Sequence, residues 1–289
     1  MSALPGPSPD PGTLVSLARR AAERAGDLLL DGVHRRRTLV ETKSTGTDMV
    51  SEMDRASEAL IVETLLADRP DDGIVGEEGS ERAGTTGVRW VIDPLDGTTN
   101  YLYAHPGWAV SIAAEIDDGS AGDTDDRPNG DAGERRVVAG VVLDPVHGDV
   151  FTATAGGGAF RNDRPIACSD QRDLALSLVA TGFGYRPERR AHQAQVVAGL
   201  IAQVRDIRRM GAAAVDLCSV ACGRVDAYYE RGLAWWDLAA GSLIAAEAGA
   251  VVTALDGGPL TAGSVLAAAP GIATSLRDRL SALGAGSGP

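Results

Sequence analysis

The chain has 289 residues, of which 44% are apolar and 23% charged, and its formal net charge is −13. That length can bury a sizeable core in one large or two closely packed domains, and the composition is that of an ordinary soluble globular protein. The acidic balance argues against a nonspecific nucleic-acid surface, which needs a basic face, and no apolar run reaches membrane-spanning length.

Residues 1–12 are Pro-rich and are expected to be disordered. The start, Met1-Ser2-Ala3-Leu4-Pro5, lacks the apolar core of a secretory signal, so a cytoplasmic location without membrane attachment is expected. From Thr13 to about Arg37, Leu14, Leu17, Ala18, Ala21, Ala22, Ala25, Leu28 and Leu29 fall at helical spacing, with Arg19, Arg20 and Arg24 off that face. This predicts an amphipathic first helix. Lys43 to Asp48 reads as a polar turn, and Ser51 to about Leu66 as a second helix with Met53, Ala56, Leu60 and Leu65 toward the core. On position alone, Asp54 is a helix-start acid that favours the dipole.

Ile74-Val75 reads as a strand end followed by the acidic turn Gly76-Glu77-Glu78-Gly79. Val88 to Ile92 is the next strand, and Pro94, which lacks a backbone donor, is expected to stop it before Asp96-Gly97 turns the chain. A tight turn would then point Asp93, Asp96 and the Leu95 carbonyl into one small volume. Such a hard-oxygen cluster suits Mg²⁺, although an Asp-Gly pair is also a common capped turn. Gly97, Thr98 and Thr99 open a short helical segment to Tyr101, whose first N–H groups could face an anion.

Ala109 to Ile116 reads as a strand, and residues 117–135, low in apolar content, as an extended surface loop. Its acids lack the Asp-x-Asp-x-Asp-Gly order and closing glutamate of a calcium loop. Val137 to Leu143 and Val150 to Thr154 form a hairpin, and Gly156-Gly157-Gly158 is a turn without the Lys-Ser/Thr of a phosphate loop.

After about Ile166 strands and helices alternate, the sign of a parallel α/β half. Leu176 to Thr181 is a strand, Arg189 to Ala202 a helix, and Asp206 to Arg209 a short strand. Gly211-Ala212-Ala213 opens a helix to about Cys222, with small residues that serve either tight packing or close ligand approach. Asp226 to Glu230 is a strand ending in an acid. Trp235-Trp236-Asp237 puts another acid before the apolar run Leu238 to Ala246, where an unpaired charge would be costly. The end beyond Ala282 is expected to fray.

The cysteines, Cys168, Cys218 and Cys222, make no disulfide framework, and Cys218 and Cys222 read as core packing. His34, His105, His147 and His192 are scattered, so a histidine-activated nucleophile has no specific support.

Asp93-Pro94-Leu95-Asp96-Gly97-Thr98-Thr99-Asn100-Tyr101, Gly76-Glu77-Glu78, Asp226-Ala227-Tyr228-Tyr229-Glu230 and Trp236-Asp237 followed by Ala240-Gly241 together resemble the signatures of the inositol monophosphatase family. Its members are Mg²⁺-dependent, lithium-sensitive phosphomonoesterases, and the resemblance runs in order from about Lys43 to about Ala269. It implies an α/β fold, the αβαβα sandwich shared with fructose-1,6-bisphosphatase. Residues 13–165 would form an N-terminal half with an antiparallel sheet and the main metal motif, residues 166–282 a C-terminal α/β half, and 283–289 a disordered tail.

The resemblance also implies roles. Glu77, Asp93 and the Leu95 carbonyl would hold one Mg²⁺, and Asp93, Asp96 and Asp237 a second, in a set of two or three ions. Asp54 would pair with Thr98 to orient the attacking water, completing a catalytic set with Glu77. Gly97 and Thr98 would donate backbone N–H groups to the phosphate, while Gly211, Ala212, Ala213 and Glu230 line the alcohol side. The implied chemistry is in-line hydrolysis by metal-activated water without a phosphoenzyme.

The Asp-Ala-Tyr-Tyr-Glu run, and Thr99 where a Lys would point to histidinol phosphate, favour myo-inositol 1-phosphate as substrate. Fructose 1,6-bisphosphate, histidinol phosphate and adenosine 3′,5′-bisphosphate are the alternatives. Family habit implies a homodimer. A non-catalytic regulatory role, as in bacterial relatives that serve the transcription machinery, is the reading from a different class. A short segment between Glu78 and Trp90 and a long 117–135 loop depart from the family pattern.

Overall fold

The computed structural model describes residues 9–38, 46–117 and 135–287, without side-chain detail for 34–38 and 46–51. In chain order the elements are α1 (Pro11–Thr38), α2 (Gly46–Asp68), β1 (Gly73–Gly76), β2 (Glu81–Arg82), β3 (Val88–Asp96), α3 (Thr98–Leu102), β4 (Ala109–Asp117), β5 (Arg135–Asp144), β6 (Asp149–Thr154), β7 (Gly158–Arg161) and β8 (Arg164–Pro165). There follow β9 (Leu178–Thr181), α4 (Pro187–Leu200), β10 (Asp206–Arg208), α5 (Ala213–Ala221), β11 (Ala227–Arg231), α6 (Trp235–Glu247), β12 (Val251–Thr253), β13 (Ser264–Ala268) and α7 (Ala273–Ala282).

Strand alternation builds the layers. Trp90 and Ile92 of β3, with Val110, Ile112 and Ala114 of β4, bury against the apolar stripes of α1 and α2. Val91, Ala109 and Ala113 point the other way, onto α5 and α6. In the second sheet Ala180, Tyr228, Val265 and Ala267 meet the same two helices, while Val179, Ala227, Tyr229 and Leu266 face α4 and α7. The result is the αβαβα sandwich, with α5 and α6 as its middle layer.

The first sheet has the order β2-β1-β3-β4-β5-β6-β7-β8 and is antiparallel except for the β1/β3 pair. The second, β10-β9-β11-β13-β12, is mixed: β10, β9 and β11 run parallel, but β13 and β12 pair antiparallel. The expected parallel half is therefore parallel along one side only.

Several expectations shift. β3 does not stop before Pro94 but runs to Asp96, with a register break against β4 between Asp93 and Asp96. A bulge tolerates a proline because the ladder is already interrupted there. α1 starts at Pro11, inside the stretch expected to be disordered, because Asp10 accepts the Thr13 N–H at 3.0 Å and proline suits a first helical turn. Gly46, Thr47 and Asp48 are helical rather than a turn, and Ala56 is exposed while Ser57, Glu58, Ile61 and Leu65 turn inward. Beyond α7 the chain folds back, with Ala285 buried and the Ala285 N–H on the Leu280 carbonyl, so residues 283–287 are not a frayed tail. The expectations for residues 1–8, 39–45, 118–134 and 288–289 lie outside the described residues.

Gly140 of β5 is where α6 crosses the first sheet: a Cβ there would lie 3.0 Å from the Ala240 carbonyl oxygen and 3.1 Å from its Cα. Gly140→Ala should cost about 1–3 kcal/mol, as overpacking does. Urea unfolding should show it as a lower midpoint at unchanged slope, and an unchanged midpoint would mean that the layers part freely.

Candidate active site

A cleft of about 240 Å³ opens where the two sheets and the middle helices meet, lined by Glu77, Asp93, Leu95, Asp96, Gly97, Thr98, Gly211, Ala213, Glu230 and Asp237, with Arg189, Arg209, Tyr185 and Trp236 at its walls. Four structural devices deliver the five acids. Glu77 follows β1, Asp93 and Asp96 flank the bulge of β3, Glu230 lies near the end of β11, and Asp237 sits in the first turn of α6.

Backbone amides hold these carboxylates. Asp93 Oδ1 accepts the Leu95 N–H at 3.1 Å, Asp96 Oδ2 the Ala214 N–H at 2.7 Å, and Asp237 Oδ2 the Ala234 N–H at 2.7 Å. Ala214 and Ala234 lie at the starts of α5 and α6, neither of which has a capping side chain at its own N-cap residue. The cleft acids thus supply the acceptors that free helix-start N–H groups need.

The turn at Glu77 is fixed from behind by Glu58, buried in α2, whose two oxygens accept the Glu78 N–H at 2.8 Å and the Ser80 N–H at 2.9 Å. Ser57 donates to the Pro94 carbonyl at 2.9 Å, and Asn100 Nδ2 donates to the Gly107 and Met210 carbonyls at 2.6 and 2.7 Å, joining the two halves at the cleft. Gly97 has φ +88°, and a Cβ on it would come within 2.8 Å of the Gly107 carbonyl oxygen. Only glycine lets the chain turn there from β3 into α3.

Burial and mutual repulsion raise the carboxyl pKa values. Asp93 is pushed well up by burial and then by Glu77, Asp96 and Asp237; Asp96 likewise, by burial and Asp237, against the Ala214 N–H. Glu77 keeps solvent access, yet partial desolvation, and after it the charges of Asp237, Glu78 and Glu58, raise it to about 7, against a hydrogen bond with Asp93. Asp237 rises to about 6 by burial, opposed by the Ala234 N–H and a bond with Asp93. Glu230 rises to about 7 through burial, opposed by the Tyr228 hydroxyl, which donates to it at 2.6 Å, and by Arg209.

Two expected placements differ. Thr98 Oγ1 donates to the Leu95 carbonyl at 3.1 Å, and Asp54 Oδ1 is buried without a hydrogen-bond partner, so the Asp54–Thr98 pair is not formed. Burial and the charges of Glu78, Glu77 and Glu58 lift Asp54 to about 8. Ala212 is buried, lies beside Gly97 and does not line the cleft. Sequence reading missed Glu58, Asn100, Arg189 and Arg209. For Arg209, a basic residue just before Gly211 in an acidic chain was a usable signal; the others gave none.

Among the described residues no three Asp, Glu, His or Cys side chains are already gathered as a metal-holding group, and Asp93 instead shares hydrogen bonds with Glu77 and Asp237. The donor set nevertheless fits a hard cation. Glu77, Asp93, Asp96, Asp237 and the Leu95 carbonyl bring only oxygens; burial raises the four carboxyl pKa values first, and for Glu77, Asp93 and Asp96 neighbouring carboxylates add repulsion that a cation would neutralise.

Layered fold and acidic cleft together are those of a phosphatase family whose members use metal ions, and the model of the inositol monophosphatase family matches residues 10–121 and 130–283. The chain belongs to the inositol monophosphatase family. It is 45% identical over 248 residues to inositol-1-monophosphatase of Mycobacterium leprae, covering 82% of this chain and 79% of that protein. It is also 39% identical over 271 residues to Nus factor SuhB of Pasteurella multocida, covering 92% of this chain and 95% of the relative. Among solved structures, inositol monophosphatase from Anabaena (Nostoc) superposes with a TM-score of 0.78 at 35% identity, covering 94% and 96% of the two chains. Mycobacterium tuberculosis SuhB gives 0.77 at 38%, covering 96% and 99%.

A carboxyl whose folded pKa lies above its unfolded value stabilises the fold at low pH and loses that contribution as pH rises through the folded value. With Asp237 at about 6, Glu77 and Glu230 at about 7 and Asp54 at about 8, the chain in chelator should lose thermal stability between about pH 5 and pH 8. Added Mg²⁺ should recover more of it at pH 8 than at pH 6. Melting curves across that window check both statements, and pH-independent curves would contradict them.

Proposed function

We propose that this chain is a Mg²⁺-dependent phosphomonoesterase that hydrolyses myo-inositol 1-phosphate to inositol and phosphate. The observation that carries the reading is the convergence of Glu77, Asp93, Leu95, Asp96 and Asp237, from both halves of the chain, on one cleft with Gly97, Thr98 and Glu230. Glu77, Asp93 and the Leu95 carbonyl would hold one ion, and Asp93, Asp96 and Asp237 another. When bound, Mg²⁺ supplies Lewis-acid activation of water and neutralises charge on the phosphate and the leaving oxygen.

The chain's own groups do the rest. The N–H groups of Gly97 and Thr98, at the start of α3, bind phosphate oxygens, and the Thr98 hydroxyl at the cleft wall orients water. Asp54, buried in the field of Glu77 and Glu78, acts on the ligand set from behind rather than through a bond to Thr98. On the alcohol side Gly211 and Ala213 leave room for the ring, and Glu230, oriented by Tyr228, accepts from its hydroxyls. Arg209 at the same wall offsets the charge of Glu230 and offers donors to a polyol or a second anionic group.

Phosphate release should be fastest on inositol 1-phosphate among a panel with fructose 1,6-bisphosphate, histidinol phosphate and adenosine 3′,5′-bisphosphate, abolished by chelator and inhibited by lithium. Asp93→Asn should lower kcat by more than about 100-fold, the upper end of what losing an outer-shell partner costs, with the fold kept. Glu230→Gln should raise KM for inositol 1-phosphate more than it lowers kcat. Preference for another ester would keep the chemistry and overturn the role of Glu230. A second reading, a regulatory partner of the transcription machinery, is favoured by the relatives named Nus factor SuhB; absence of turnover on every ester would promote it.

A further inference from the structure

Asp237 reaches the cleft from the first turn of α6, and that turn lies at the margin of the core. Trp235, Trp236 and Asp237 are only half-buried, whereas Leu238, Ala239, Ala240, Gly241 and Ser242 behind them are buried. The contact at Gly140 seats the middle of α6, at Ala240, against the first sheet, more than one turn beyond Trp235.

Outside the cleft, a part-buried polar contact ties that turn to the first sheet. Trp235 Nε1 donates to Glu115 Oε1 at 2.6 Å. Glu115, on β4, is 0% exposed, and its other oxygen accepts from Arg89 Nε at 2.8 Å and Nη2 at 2.7 Å, from the neighbouring strand β3. A buried ion pair spanning two strands thus presents a rigid acceptor to an indole in the middle layer. Such a pair adds little net stability, but leaving its acceptor unmet is costly, so it is strict about where the donor must be.

The geometry of a helix carries that strictness to the cleft. Residues two apart leave an α-helix about 200° apart around its axis, on opposite sides. Holding Trp235 toward β4 therefore turns Asp237 toward the cleft. Asp237 moves with the helix because its Oδ2 is bound to the Ala234 N–H of the same turn.

We infer that Glu115 is a positioning residue: through Trp235 it sets the rotation of the first turn of α6, and with it the place of Asp237 relative to Asp93 and Asp96. The inference rests on the proposed role of Asp237 as a metal ligand, and it adds a residue outside the cleft to the determinants of ion affinity.

Trp235→Phe keeps the aromatic bulk and removes only the N–H donor, and Glu115→Gln leaves a single acceptor oxygen for which Trp235 and Arg89 compete. Direct titration of the full chain with Mn²⁺ by calorimetry, with Asp237→Asn as reference, reads the effect without turnover. Trp235→Phe should weaken ion binding about tenfold and raise half-saturating Mg²⁺ alike, with kcat at saturating ion largely kept, while Glu115→Gln falls between it and the wild type. Wild-type ion binding in Trp235→Phe beside weakened binding in Asp237→Asn would overturn the inference alone, as would a lower melting temperature with no change in affinity. Unchanged binding in Asp237→Asn would overturn the ligand role of Asp237 and the inference with it.

Discussion

The structure is organised around an electrostatic liability: Glu77, Asp93, Asp96, Glu230 and Asp237 share one cleft and repel one another there. Surface acids would be screened by water, but Asp93 and Asp96 are buried, and burial is the largest influence on each group in the set. The fold answers mainly with oriented amides rather than with countercharges. Asp96 sits on a free N–H at the start of α5, Asp237 on one at the start of α6, and Asp93 on the Leu95 amide inside its own bulge. Helix starts carry partial positive charge and unmet donors, so each such bond relieves the acid and completes the helix together. Two middle-layer helices that begin at the same place make this possible, and the sandwich supplies them.

A second shell of contacts keeps that arrangement from relaxing. Glu58 clamps the Glu77 turn through two backbone amides, Ser57 holds the Pro94 carbonyl, and Asn100 bridges the Gly107 and Met210 carbonyls across the two halves. The Tyr101 hydroxyl reaches the Leu29 carbonyl of α1 at 2.9 Å. None of these side chains lines the cleft. Their common feature is a side-chain group bonded to main chain outside its own element, and all but the Leu29 contact fix strand ends and turns that have no ladder of their own to hold them.

What the sequence made legible was what is local. Strand and helix alternation, the acidic turns at Glu77 and Asp93–Asp96, the acid opening α6 and the small residues before α5 are runs of neighbours whose chemistry can be read in place. The misreadings came from partners that neighbours do not reveal. Pro94 looked like a strand stop because its missing donor matters in an ordinary ladder, whereas the bulge removes that demand. Ala56 looked more apolar than Glu58, but α2 turns Glu58 inward because the Glu77 turn offers it two amides. Family likeness pairs Asp54 with Thr98, whereas the threonine hydroxyl gives its proton to the Leu95 carbonyl three residues before it. Glu115 would pass as an outward residue on a strand until Arg89 and Trp235 are seen around it.

The same liability bears on which reading of the chain is favoured. Fold alone does not choose between a phosphatase and a partner of the transcription machinery, since one scaffold serves many functions, and the relatives carry both kinds of name. The acids are more discriminating. In a protein that only binds partners through its surface, an amide or apolar residue in place of Asp93 or Asp96 would remove repulsion and desolvation cost. This chain instead keeps them, braces each with a backbone amide, and places in the same cleft Gly97, Thr98 and Arg209, which suit an anion rather than a cation. A cleft that sets acids beside anion-accepting groups, in a chain of net charge −13, is the arrangement expected of a site that brings cations and a phosphate ester together.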